Sequence, residues 1–419
     1  MRNKIQIILI IAISMLVGYF AGTNQVRFEW ANYKPHLNLI NKEPPASAAN
    51  VDFTQFWAVW DRISVMYYDK KVVDPQKMLQ GAITGMVQSL NDPYTMYLPP
   101  TQNTNFQQQL AGKFEGIGAE LGMKDKQIII VAPLNGSPAQ KAGLKAGDTI
   151  LKVDNTVIAG WTLQQTVNKI RGPKGTKVVL NIVHKDSQDA TDINITRDTI
   201  TVKSVDGWIK DIKEVDNLSD SFKSSHIGHK VMYVRLSQFG DATNQDWTAL
   251  ISSLSPQIVS SSVKGIILDL RDNPGGYLTD AVFIAGEFLP INTPVVSEDG
   301  GNGEITNLAV NRNGTLLTIP LVVLINGGSA SASEIVSGAL RDNHRAKLVG
   351  DKSFGKGTVQ QALDLGQGAG LHVTIAKWLT PNGTWVHGKG LTPDVSVALD
   401  PKDPTQDTQL EKAIDTVLQ

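Results

Sequence analysis

Hydrophobic positions in this chain follow several distinct rhythms. Behind Arg2 and Lys4, the stretch from Ile5 to Ala21 is apolar and uncharged. That length sits at the short end of a bilayer span, and basic residues before it favour a cytoplasmic N-terminus. The same pattern fits the apolar part of a cleaved signal. Tyr19 and Phe20 stand where a signal peptidase needs small residues, which favours an uncleaved anchor. Asn24 to Asn50 has no sustained period and reads as a tether. Phe53, Phe56, Trp57, Trp60, Ile63 and Tyr67 then recur at helical spacing, predicting a helix with a core-facing aromatic side. A second helix is expected from Asp74 or Pro75 through QKMLQGAITGMVQSL, broken by NDPYTMYLPP.

From Phe114 the texture changes. GIGAELGM, QIIIVAPL, DTILKVDNTVI and KVVLNIVH read as short strands, with SPAQKAGL and TLQQTVNKIR as short helices between them. Residues 201–230 are polar and read as irregular. Beyond them, KVMYVRLSQF, VKGIILDL, PLVVLI and AKLVG are near-continuous apolar runs, as strands covered on both faces should be. NQDWTALISSL, TDAVFIAGEFL and SASEIVSGAL alternate with them as helices. The end, TQLEKAIDTVLQ, predicts an amphipathic helix on Leu410, Ile414 and Val417. The expected class is a multidomain α/β chain. Its parts are 1–24 (anchor or signal), 25–50 (linker), 51–104 (helical segment), 105–200 (mixed β/α domain), 201–400 (α/β core) and 401–419 (C-terminal helix).

Composition narrows the chemistry. The net charge of −1 gives a nucleic-acid partner no electrostatic support. The chain has no cysteine, which removes thiol nucleophiles, thiolate zinc sites and disulfides. None of its 7 histidines sits in a recognisable signature, and no metal site is expected. His372, in a strand-like run, is a spare candidate for a base.

Lys356 lies between two glycines in GDKSFGKGTV. A phosphate-binding P-loop needs Ser or Thr after the lysine. Gly357 stands there instead, and the following GTVQQALDL favours a strand over the required helix. On a strand, Lys356, Thr358 and Gln360 would share one face, a candidate base beside a carboxamide. A lysine base must first lose its charge; its free pKa is near ~10.4, and apolar burial lowers it. Upstream, INGGSASASEIVSGAL places serines at a strand–turn–helix junction. There, free N–H groups and the helix dipole suit an oxyanion. Ser331 with Glu334 also fits a helix-capping box, so capping and nucleophilic readings of Ser331 both stand on the residues alone.

At these residues the chain resembles the C-terminal processing (tail-specific) peptidases, serine endopeptidases with a Ser/Lys pair. SASASE is similar to the family's nucleophile turn, and FGKGTVQ to its base segment. The resemblance implies Ser331 as nucleophile, Lys356 as base and Gln360 as its support. DLRDNPGG resembles the family's oxyanion turn, implying the N–H groups of Gly276 and Ala332. FEGIGAEL and SPAQKAGLKAGDTILKVD resemble a PDZ domain, with Ile117, Gly118 and Ala119 receiving a terminal carboxylate. GAITGMVQSLNDPYTMYL and KGLTPDV are similar to the family's opening and closing segments.

The implied function is cleavage of protein or peptide substrates with apolar C-termini, with no cofactor. A PDZ-gated site is also implied, with Arg171 and Arg197 as candidates for the gating. The expected location is the cell membrane, single-pass through residues 5–21, with the bulk on the extracytoplasmic side and homo-oligomerisation open. The competing class is a non-catalytic PDZ scaffold at the membrane. Two departures stand out: Trp378 where the family commonly has tyrosine, and an insertion at 208–228.

Overall fold

The computed structural model describes residues 13–15, 26–31, 34–39, 46–398 and 406–419, apart from breaks at 125–126, 135, 146, 162, 186, 188, 202, 261 and 302. The chain separates into two units, Met1–Leu79 and Gln80–Gln419. In the first, the expected tether carries an antiparallel hairpin, Val26–Ala31 with Lys34–Leu39. The aromatic helix forms at Thr54–Met66, but its apolar face is not core. Phe53, Phe56, Trp57, Ile63 and Tyr67 are exposed and pack partly on one another, Phe56 meeting Trp57 edge-on at 4.9 Å. A helical period reports that a face is apolar, not that anything covers it. The predicted membrane span lies outside the described residues except for 13–15. Among the described residues no helix is long and apolar enough to cross a membrane.

In the second unit, the mixed domain builds an antiparallel sheet. Its strand order is Ala190–Thr196, Lys177–Val183, Thr149–Val153, Gln127–Pro133, Ala119–Lys124. Alternation sets its core: Val178, Leu180 and Ile182 point inward from one strand, towards Ile128, Ile130 and Ile150. Ala119–Lys124 is an edge strand, open to a further partner.

The α/β core holds a sheet ordered Val205–Asp211, Lys230–Leu236, Gly265–Asp269, Leu321–Ile325, Lys347–Gly350, Val395–Ser396. All neighbours are parallel except the first pair. The apolar runs are explained by burial on both faces. Ile266, Leu268, Val323 and Ile325 join one cluster with helices Leu278–Phe288 and Ala332–Asp342. Ile267, Val322 and Leu324 join another, with Leu410, Ile414 and Val417 of the C-terminal helix Thr408–Leu418. Arg271 ties the sheet to that helix, reaching Asp269 at 2.6 Å and the capping residue Asp407 at 2.8 Å. A second sheet carries Thr358–Asp364 and Gly370–Leu379, with Met96–Leu98 paired to the latter.

The segment expected to be irregular, 201–230, contains the edge strand Val205–Asp211 and the short helix Asp220–Ser225. Val205 and Ile209 pack into one apolar cluster and Trp208 against the other, stacking on Tyr233 at 5.1 Å, but Asp206, Gly207, Lys210 and Asp211 interrupt the strand, so no continuous apolar run marks it.

One buried pair in this core is incompletely bonded. Asn244 Nδ2 donates to Asp280 Oδ1 at 2.9 Å, while Asn244 Oδ1 and Asp280 Oδ2 find no partner among the described residues. Burial, with Asp241 nearby, raises the Asp280 pKa to about 6, although the Asn244 bond opposes the shift. A carboxyl that holds its proton better folded than unfolded costs stability as pH rises from the unfolded value towards the folded one. Asp280→Asn supplies the missing hydrogen without a charge. It is expected to flatten the loss of stability between about pH 4 and 6 and to stabilise the core at pH 8 by roughly 1–3 kcal/mol. Urea midpoints at both pH values test this; an unchanged pH slope contradicts it.

Candidate active site

Three consecutive parallel strands, Gly265–Asp269, Leu321–Ile325 and Lys347–Gly350, deliver their C-terminal ends side by side. Sites in parallel α/β sheets form at that edge. The segments leaving these strands, 269–276, 326–331 and 351–356, carry Gly276, Ser331 and Lys356. Reciprocal bonds at 2.9 Å join the first two segments, Asp272 N–H to Asn326 Oδ1 and Asn326 Nδ2 to Asp272 Oδ1. Asn273 adds a second tie, since its carbonyl accepts from Ala330 N–H at 3.0 Å and from Ser333 Oγ at 2.8 Å.

The turn separates its three serines. Ser329 is buried and donates to the Leu270 carbonyl at 2.7 Å. Ser333 is buried and bound to Asn273 as above. Ser331 is half-buried, and among the described residues no carbonyl takes up its hydroxyl. Its backbone is strained, with φ 53° and ψ −115°, outside the ordinary left-handed basin. Gly275 fits against it: a Cβ there would lie 2.8 Å from Ser331 Cβ and 2.9 Å from Ala332 N. The N–H groups of Gly276 and Ala332 have no acceptor among the described residues. Ala332 opens the helix, where first-turn donors lack intrahelical partners.

Glu334 joins the serine and lysine segments. Its carboxylate is buried and accepts four donors. Oε2 takes Ser331 N–H at 2.9 Å and Lys356 N–H at 2.9 Å. Oε1 takes Gly355 N–H at 2.7 Å and Ser353 Oγ at 2.6 Å. Because both first donors lie 2.9 Å from one oxygen, the two backbone nitrogens are within 5.8 Å, twice that distance. In the sequence, the capping-box spacing from Ser331 is the only signal that Glu334 carries.

Lys356 does not lie on a strand. It ends an extended loop, and the strand begins at Thr358, with a bulge between Val359 and Gln360. The flanking glycines answer to packing: a Cβ on Gly355 would meet Gly390 N at 2.7 Å, and one on Gly357 would meet His387 N at 2.7 Å. Trp378 and Trp385 hold the loop, donating to the carbonyls of Lys356 at 2.9 Å and Gly357 at 2.8 Å. The departure at Trp378 is therefore part of the lysine's scaffold. Burial lowers the Lys356 pKa, against the opposing pull of Asp92 and Glu334. Among the described residues its ammonium has no ion pair; it lies 5.2 Å from the centre of the Tyr94 ring.

Tyr94 and Asp92 belong to NDPYT, read from sequence only as a helix breaker within a family-like segment. Asp92 accepts from Tyr94 N–H at 3.0 Å and from Thr95 Oγ1 at 2.7 Å. Gln360 Nε2 donates to Thr358 Oγ1 at 2.9 Å and to Thr374 Oγ1 at 3.3 Å, so Thr358 and Gln360 do share a face. His372 packs edge-on against Phe106 at 4.6 Å. Burial and the Lys356 charge lower its pKa.

The PDZ-like residues sit at a separate groove of about 320 Å³ beside the edge strand Ala119–Lys124. Leu121, Leu134, Val167, Ile170 and Ile200 line it together with Ile117, Gly118 and Ala119. The carbonyls of Ile117 and Gly118 accept from Ala139 and Leu134, at 2.8 and 2.9 Å. Among the described residues their N–H groups have no acceptor in the chain. Arg171 borders the groove, over the Phe114 ring at 4.9 Å. Arg197 is buried, not solvated, and clamps the domain through Ile170 O at 2.7 Å and Lys177 O at 2.8 Å.

Comparison with known proteins places these parts. Residues 230–397 match peptidase family S41, 107–183 the PDZ domain, and 14–101 the N-terminal domain of the activating protease CtpB. The carboxy-terminal processing protease CtpB of Bacillus subtilis is 36% identical over 95% of this chain and 78% of its own. Its CtpA counterpart is 37% identical over 84% and 71%. A photosystem II D1 C-terminal processing protease superposes with a TM-score of 0.50 at 28% identity, covering 87% of this chain and 96% of that one. An S41 protease from Bacteroides fragilis, 16% identical with a TM-score of 0.56, shares the fold over 90% of this chain and 98% of its own.

Glu334→Ala would leave four buried donors without their acceptor. The variant is expected to lose roughly 3 kcal/mol or more of stability, read from urea unfolding. Glu334→Gln keeps one acceptor oxygen and should lose less. An alanine variant as stable as the parent shows that the carboxylate does not bind the segments together.

Proposed function

The chain belongs to the C-terminal processing proteases of peptidase family S41, serine peptidases with a PDZ domain, and on that premise we propose how it cuts. Ser331 is the nucleophile and Lys356 its general base. The observation that carries this reading is the pair of N–H groups, from Ser331 and from Lys356, on one Glu334 oxygen.

Neutral Lys356 takes the hydroxyl proton as Ser331 Oγ bonds to the peptide carbonyl carbon. The oxyanion is received by the N–H groups of Gly276 and Ala332. Collapse breaks the C–N bond, and the proton on Lys356 goes to the leaving amine. Water then adds to the acyl carbonyl carbon and gives a proton to Lys356; collapse breaks the C–O bond to Ser331, and Lys356 returns that proton to Ser331 Oγ as the acid product leaves. Gln360, anchored on Thr358 and Thr374, orients the lysine without adding charge.

Substrates enter by their C-terminus. The edge strand Ala119–Lys124 accepts a peptide as an added strand, its carboxylate meeting the free N–H groups at Ile117–Ala119. The apolar lining selects apolar terminal residues. The chain is held at the membrane through residues 5–21, with the protease outside the inner face. A scaffold without catalysis would not need a strained serine whose hydroxyl proton no carbonyl takes up, on a loop tied to that of a half-buried lysine.

Ser331→Ala and Lys356→Ala should each lower kcat by about a thousandfold or more while leaving thermal unfolding unchanged. Cleavage close to that of the parent by Lys356→Ala rules the scheme out. A peptide substrate whose C-terminal carboxylate is amidated should show KM raised about tenfold at similar kcat, the loss of one contact of ~1.4 kcal/mol. Equal KM values contradict terminal recognition.

A further inference from the structure

The Asp92–Thr95 segment is not used by the scheme above, yet it meets that scheme at two points. Tyr94 places its ring beneath the Lys356 ammonium and its N–H on the Asp92 carboxylate. Thr95 is buried; its hydroxyl donates to Asp92 and accepts from Thr374 N–H at 3.0 Å. Thr374 in turn accepts from Gln360. One hydrogen-bonded path thus runs from Gln360 through Thr374 and Thr95 to Asp92, while Tyr94 meets Asp92 through its backbone N–H and the lysine through its ring.

We infer that Asp92 is a positioning residue of the proteolytic site, the counter-charge that decides how readily Lys356 gives up its proton. The inference rests on Lys356 acting as the base.

The groups facing the ammonium come from every element around it. Asp92 and Glu334 supply the negative charges that act on it. Glu334, however, has four donors already and is spent on backbone geometry. Tyr94 is a neutral phenol, its pKa raised by burial and by the charges of Glu334 and Asp92. His372 feels the lysine as a repelling charge. His387 stands 5.8 Å from the Tyr94 ring and acts on Asp92. Burial works against Asp92, but bonds from Thr374, Thr95 and Tyr94 outweigh it and keep the carboxylate ionised below the usual range. Asp92 is therefore the negative charge in this set that can be neutralised without dismantling the serine and lysine loops.

Removing that charge should make Lys356 easier to deprotonate. The sign is opposite to that of ordinary damage: Asp92→Asn should gain activity in acid. The test measures kcat/KM of the full chain on a fluorogenic peptide with an apolar free C-terminus, from about pH 5.5 to about 9.5. Asp92→Asn keeps one acceptor oxygen, for the Tyr94 N–H, and turns its amide nitrogen to the Thr95 hydroxyl as a donor; it should move the acid limb down by about one pH unit. On that limb the variant would be about tenfold more active than the parent. Asp92→Glu should return the limb to its original position. If Asp92→Asn does not fold, Asp92→Ser carries the same expectation.

A purely structural aspartate would lower the plateau and leave the limb in place. That result, or a limb displaced towards alkaline pH, overturns the inference. Lys356→Ala, assayed in parallel, separates the two readings. If it remains active, the base assignment has failed; if it is inactive while the Asp92→Asn limb is unmoved, only the role of Asp92 has failed.

Discussion

A single buried carboxylate fixes the geometry on which everything at this site depends. Glu334 takes two donors on each oxygen, which is the number a carboxylate excluded from water needs for its lone pairs. The arrangement links the serine and lysine segments through three backbone N–H groups and the Ser353 hydroxyl. It also lets capping and the proposed catalysis coexist. Ser331 and Glu334 form a capping box, Glu334 reaching back to the Ser331 N–H and the serine side chain facing the first turn as an acceptor, which leaves the hydroxyl its own proton to give. The same carboxylate then takes the Lys356 loop, and the serine hydroxyl is not drawn into a carbonyl bond as those of Ser329 and Ser333 are.

The carboxylate can do this only because the sheet brings its partners to one edge. Parallel strands share a direction, so three neighbouring crossovers open their loops at the same end. Each of those strands is packed on both faces, one face into each apolar cluster. The loops above are correspondingly rigid, with Asn273 and Asn326 joining them across the strand ends. Strain at Ser331 is tolerable on such a base. A φ of 53° would relax in a loose turn, but Gly275 packs directly behind it.

Much of this was readable in the sequence, for reasons that vary by element. The core strands were visible because burial on both faces writes a continuous apolar run. The PDZ strands were visible because alternation marks a half-buried sheet. The serine turn and the lysine segment were legible as motifs, and the glycines flanking Lys356 were visible without their reason, which is close approach by His387 and Gly390. The edge strand Val205–Asp211 was missed because its packed residues, Val205, Trp208 and Ile209, are interrupted by aspartate, glycine and lysine, which leaves no such run. The aromatic helix misled for the opposite reason: its period is genuine, but a period carries no information about a covering surface. Assigning Lys356 to the strand started the alternation too early, since the local signal for a strand begins at Thr358 and the chain before it is held by tryptophans distant in sequence. Asp92 and Tyr94 were unreadable for the same reason. NDPYT has the composition of a turn, and only the pairing of Met96–Leu98 with Gly370–Leu379 brings it to the lysine.

That placement sets a tension that the proposed chemistry has to resolve. Bringing a lysine from ~10.4 to a value of ~7–8 requires roughly 3–5 kcal/mol of preference for the neutral form. Burial supplies the preference, yet Asp92, Glu334 and the face of Tyr94 all favour the ammonium. A site built only to produce a strong base would lack these groups. A cleft that excludes water further when a peptide lies across it changes the balance. Desolvation then grows, while charges already fixed in the wall stay where they are. On the proposed scheme, a peptide covering Ser331 would therefore lower the Lys356 pKa further, against the fixed pull of Asp92 and Glu334.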